Sequence, residues 1–149
     1  RLALPATGDD EIVQRLVRVG SAVYAVGVRG SGFQAWVREP AGAASSAGTW
    51  RAVGRFGATG TGSVAAVESV AGAGAGAGGG LLAMTVAAGG HRLWRSTAGG
   101  SSWVSVPLPA DVAAAGDTSA ATTIWDGRLV ITLDDGVAAR VWFAPLGAV

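Results

Sequence analysis

Apolar residues in this chain come in short runs broken by glycine, and the runs repeat. Three segments align without a gap: "VYAVGVRGSGFQAW" from Val23 to Trp36, "LLAMTVAAGGHRLW" from Leu81 to Trp94, and "LVITLDDGVAARVW" from Leu129 to Trp142. Each holds a run of strand-type residues, a Gly-containing turn and a second run that closes on Trp. That is the pattern of a β-hairpin with its Trp in a fixed place. Asp9-Asp10-Glu11 could cap a short helix into "IVQRLV", but the corresponding run of the third unit is extended, so a loop followed by a strand is expected there.

The flanks lengthen the unit. Before the hairpins lie "RLVRV", "VAAVESV" and "TTIW", joined to them by Gly20-Ser21, by the tract from Ala71 to Gly80, and by Asp126-Gly127. The first and last joints are two-residue turns of the kind that the right-handed twist of strands favours. After the first two hairpins the chain turns back into a fourth run, opening on Trp50 or Trp103. The unit is therefore four antiparallel strands, recurring every 48 to 58 residues between Trp36, Trp94 and Trp142. Four-stranded sheets at this period point to an all-β fold, a β-propeller of about three blades. The expected blades span about 12–54, about 63–107 and about 118–149, the last without its fourth strand, and 1–6 form a stray closing strand because "LALPA" resembles "VPLPA" at Val106 to Ala110. Three blades are too few to close a ring, so further blades are expected as partners, from identical chains or from further polypeptide.

Composition narrows the function. The formal net charge is +1, and the eleven basic residues, all Arg, are scattered rather than gathered in a stripe, which argues against nucleic acid as a partner. Cysteine is absent, which removes disulfides, thiolate metal sites and thiol nucleophiles. No apolar run reaches the roughly 18 residues of a membrane span, and "RLALPATGDD" lacks the order of a signal peptide.

The stretch "RSTAGGSSW" carries a resemblance. Ser96, Gly100, Ser102 and Trp103 stand at the spacing of the Asp-box, or BNR repeat, of sialidase-like β-propellers, with Ala98 where the pattern has Asp. "GTW", Gly48 to Trp50, keeps only the closing part of the motif. The resemblance implies a structural turn whose side chains bond the hairpin's own backbone and whose Trp packs between strands, and it favours an extracytoplasmic or secreted setting. It also sets what catalysis would require: an arginine cluster, a Tyr nucleophile with a Glu partner, and an Asp acid/base. Tyr24, the single Tyr, sits in mid-strand, and Glu68 reads as a strand-face charge. No catalytic residue is assigned.

Other candidates favour structural readings. Gly74-x-Gly76-x-x-Gly79 matches the dinucleotide pattern, but a strand-like run follows it where a helix is needed, so an elongated turn is expected and no cofactor. His91 is the lone histidine, a poor metal ligand without companions, and Asp134-Asp135-Gly136 reads as a hairpin turn before it reads as a calcium loop. No metal is assigned. Five of the six Trp recur at blade positions, which favours packing over sugar stacking. A ligand face, if present, would lie on the loops from strand two to three and from blade to blade, where Arg29, Arg55, His91 and Asp134 are the guesses, with Asp111 and Asp135 beside them. The expected function is a noncatalytic binding or interaction module for a glycan or protein. The alternatives are a fragment of a sialidase-like glycoside hydrolase and a lectin assembled as an oligomeric ring.

Overall fold

A computed structural model describes residues 10–38, 49–58, 62–70 and 79–146. The protein is all-β, with three antiparallel sheets that stand side by side and do not close on one another. Sheet 1 runs in the order β1 (Glu11–Val19), β2 (Ala22–Arg29), β3 (Gly32–Arg38), β4 (Trp50–Phe56). Sheet 2 follows with β5 (Ser63–Val70), β6 (Gly80–Ala87), β7 (Gly90–Thr97) and β8 (Ser102–Val106). Sheet 3 has three strands, β9 (Ser119–Trp125), β10 (Arg128–Asp134) and β11 (Ala139–Pro145), and among the described residues β11 pairs only with β10. The stretch beginning at Glu11 is strand, as the extended reading expects. The expected closing strand at 1–6 and the Ala/Gly tract at 71–78 lie outside the described residues.

Local turn chemistry accounts for the tight joints. Trp125 pairs with Arg128 across Asp126 (φ 49°) and Gly127 (φ 68°), so both turn residues take the left-handed region that a type I′ hairpin requires. Asp126 is the one non-glycine residue with positive φ among the described residues, and Asp tolerates that region better than most side chains.

The first strands of neighbouring sheets lie beside each other, β1 by β5 and β5 by β9. Both β1 and β5 carry a bulge, between Val13 and Arg15 and between Val64 and Ala66. A bulge releases backbone groups from the ladder and re-aims side chains. Here Gln14 Oε1 accepts from the Val64 N–H at 2.6 Å, and Arg15 Nε donates to the Ala65 carbonyl at 3.1 Å, so the irregular steps face each other across the seam. A third bulge, in the β3–β4 pair, is filled by Gln34, only 2% exposed, whose amide donates to the Ala35 and Gly54 carbonyls at 2.7 and 2.8 Å.

Packing between sheets follows the repeat. Leu81 and Ala83 face sheet 1, among Tyr24, Val26, Phe33 and Val37, while Leu129 and Ile131 face sheet 2, among Leu82, Met84 and Leu93. These are equivalent positions of the aligned segments, because side chains alternate faces along a strand. Each sheet thus lays its first-residue face on the opposite face of the sheet before it. The Trp residues only partly meet the packing expectation: Trp36 is buried, whereas Trp50, Trp94, Trp103 and Trp142 are half-buried. Phe56 gathers two of them, stacked on Trp103 with ring centres 4.0 Å apart and tilted on Trp94 at 5.6 Å.

Candidate functional site

In this strand order, the β2–β3, β6–β7 and β10–β11 turns share one end of the sheets with the β4–β5 and β8–β9 connections. The residues expected to face a ligand stand at that end, mostly committed to the protein itself. Arg29 Nε is 2.6 Å from Glu11 Oε1, and Arg55 Nη2 donates to the Arg29 carbonyl at 3.1 Å. His91 is 8% exposed; its backbone N–H donates to the Val112 carbonyl at 2.9 Å, and its Nδ1, in the protonated tautomer, donates to the same oxygen at 3.2 Å. Its place is thus to fasten the β8–β9 connection across sheet 2. Asp134 Oδ1 accepts from the Gly136 N–H at 3.0 Å, an Asx turn. Asp111 stands exposed in the β8–β9 connection, and among the described residues no hydrogen bond or ion pair joins it to these groups. Arg29 and Arg55 come together; no hydrogen bond or ion pair among the described residues joins them to His91 or Asp134.

Asp135 is the most perturbed acid among the described residues. Its Oδ1 accepts from the Val137 and Ala138 N–H groups at 3.0 and 2.8 Å, and its Oδ2 accepts from Arg140 Nη1 at 2.7 Å. The Ala138 amide, then Arg140 and the Val137 amide, hold its pKa down at about 2, against an ordinary 3.8. These bonds favour the charged carboxylate, so its contribution to stability is complete above pH 3.8 and is lost as the pH falls through 2. The stability difference between the protein and Asp135→Asn, followed by thermal unfolding across pH, is expected to shrink in that window. A difference that stays constant down to pH 2 would contradict it.

Tyr24 and Glu68 are not brought together. Tyr24 is 7% exposed between sheets 1 and 2, whereas Glu68 pairs with Leu82 and shares the face of sheet 2 that turns to sheet 3. Burial raises the Glu68 pKa above its ordinary value.

At the other end of the sheets, the β7–β8 turn clamps sheets 1 and 2. β7 leads through Ala98–Gly100 into β8, with Gly99 and Gly100 at φ 67° and 85°. Trp103 Nε1 donates to the Gly100 carbonyl at 2.9 Å, and the hydroxyls of Thr97 and Ser102 bond each other. Ser96 Oγ, buried, accepts from the Leu81 N–H at 2.8 Å and so ties β7 to β6 instead of closing the turn on itself. The turn lies so close to β4 that a Cβ on Gly54 would stand 2.2 Å from the Gly100 oxygen.

Sequence reasoning missed one feature of the loop end. A cavity of about 400 Å³ opens between sheets 1 and 2, with Phe33, Thr85 and Trp94 in its floor and Arg92 at its rim. These residues belong to three strands and share no motif; the recurrence of Trp94 was the only signal. Among the described residues no three His, Asp or Glu side chains gather as metal ligands would, and no helix is long and apolar enough to cross a membrane. No known family model, curated protein or solved structure matches the chain.

Proposed function

We propose that the chain is a noncatalytic binding or interaction module of the β-propeller type, in which the three sheets are successive blades and the outer face of sheet 3 receives a further blade. One observation carries this reading. Tyr24, Val26 and Ala35 are buried against sheet 2, and the equivalent Leu82, Met84 and Leu93 are buried in the cluster shared with sheet 3. The corresponding Val130, Thr132 and Val141 have no such cover: Val141 is 55% exposed, with Phe143 at 55% and Trp125 at 64% on the same face. An apolar patch of this kind marks an interaction surface.

The Asp-box reading fits within the same proposal. The turn at Ser96, Gly100, Ser102 and Trp103 is a worn Asp-box hairpin whose bonds hold strands and sheets instead of a ligand. The separation of Tyr24 from Glu68 supports the noncatalytic part.

Amide hydrogen exchange tests the docking face. With rising protein concentration, protection is expected to increase along β9, β10 and β11 as copies cover the bare face, and to stay level in β6 and β7, which have a neighbouring sheet on each face. Concentration-independent exchange in sheet 3 would count against the proposal.

A further inference from the structure

We propose that the cavity between sheets 1 and 2 binds a small organic anion made of a flat apolar ring and a single carboxylate or similar group. The site goes beyond the propeller reading, since it lies wholly between two sheets present in this chain. Its accessible aromatic wall is the half-buried Trp94, with Phe33 buried behind the floor. The Phe33 and Trp94 rings approach each other at Gly57, where a Cβ would stand 3.0 Å from Phe33 and 3.1 Å from Trp94, so the bare glycine lets the two rings pack closely. Ala58, Ala87 and Gly89 add little bulk to the walls. The volume, about 400 Å³, falls among those that hold small molecules.

Polar capacity in the cavity is nearly all committed. Trp94 Nε1 donates to Thr85 Oγ1 at 2.9 Å, and that hydroxyl donates to the Arg92 carbonyl at 3.4 Å. The indole therefore has no donor left for a ligand. Arg92 is the exception: its guanidinium is exposed at the rim and, among the described residues, makes no ion pair or hydrogen bond. A guanidinium presents five donors in a plane that matches a carboxylate. One anionic group at the rim and a ring against the half-buried Trp94 would satisfy the site, while Phe33, 1% exposed, offers a ligand almost no surface. A sugar would bring many hydroxyls into a space with almost no partners for them, which is costly. An inorganic anion would leave the aromatic floor unused.

The probe is 2-naphthoate, compared with the neutral 2-naphthamide, by two-dimensional NMR of the intact chain. Naphthoate is expected to shift the amides of Ala87, Ala88 and Gly89 and the indole N–H of Trp94, in a saturable way. Arg92→Gln, an exposed substitution, is expected to weaken naphthoate by about tenfold, in line with loss of a charge-assisted bond, and to leave naphthamide unchanged. Ala88→Phe, which fills the opening, is expected to weaken both compounds while the remaining resonances report an intact fold. Shifts that map elsewhere, no shift at millimolar naphthoate, or equal naphthoate binding in Arg92→Gln would each overturn the assignment. So would stronger shifts of the same resonances with a methyl glycoside.

Discussion

Gly54→Ala is expected to destabilise the protein by more than about 3 kcal/mol, beyond the usual cost of overpacking, because its new methyl meets backbone that cannot rotate away. The Cβ would stand 2.2 Å from the Gly100 carbonyl, 3.1 Å from the Ser101 carbonyl and 3.1 Å from the Trp103 indole nitrogen. Relief requires either β4 to leave the turn or the turn to open, and the second route breaks the bond from Trp103 Nε1 to the Gly100 oxygen. Trp103 would then also lose its stack on Phe56. Two other glycines calibrate the result. Gly116→Ala meets nothing within 4 Å and has no left-handed φ, so it is expected to change stability by less than about 0.5 kcal/mol. Gly30→Ala also enters open space, but its φ of 55° costs a side chain roughly 1–2 kcal/mol. Urea unfolding of the three variants gives the order. If Gly54→Ala behaves like Gly116→Ala, the turn does not clamp the sheets.

Leu129→Ala should cost about 3.5 kcal/mol, the middle of the range for removing a buried leucine. Leu129 is fully buried in the cluster that joins sheets 2 and 3, beside Leu82, Met84 and Leu93. Truncation there leaves a cavity between two sheets, which collapse cannot easily fill. Phe143→Ala, on the other face of the same sheet, removes a larger side chain but one that is 55% exposed. In dilute solution it is expected to cost less than about 1 kcal/mol, and more as concentration rises and the face is covered. Equal costs for the two variants in dilute solution would mean that the two faces of sheet 3 are not distinguished by what they pack against.

The contrast between Leu129 and Phe143 also marks how far the sequence can be read. Strands and turns were legible because alternation and turn chemistry are local: Asp126-Gly127 specifies its hairpin with two residues, and the aligned segments show which positions share a face. Neither face of β10 and β11 looks polar, with Leu129, Ile131 and Trp142 on one side and Val130, Val141 and Phe143 on the other. Which of them is covered depends on a neighbouring sheet far away in sequence, so no local pattern reports it. The same limit applies to the ligand-face residues. Arg29 and His91 have the right chemistry and the right end of the fold, but Glu11 and the Val112 carbonyl engage them, and those partners come from other strands and connections. Arg92 looked like one scattered arginine among eleven until Phe33, from another sheet, was placed against Trp94.

The outer face of sheet 3 is proposed as an interface of the kind already formed between sheets 1 and 2 and between sheets 2 and 3. Light scattering on the eluting chain tests it most directly, with the Val141→Asp/Phe143→Asp double variant run alongside. Self-association of the unmodified chain is expected from micromolar to sub-millimolar concentration, and a monomer when the two exposed apolar residues become carboxylates. A monodisperse monomer of the unmodified chain across that range would contradict it.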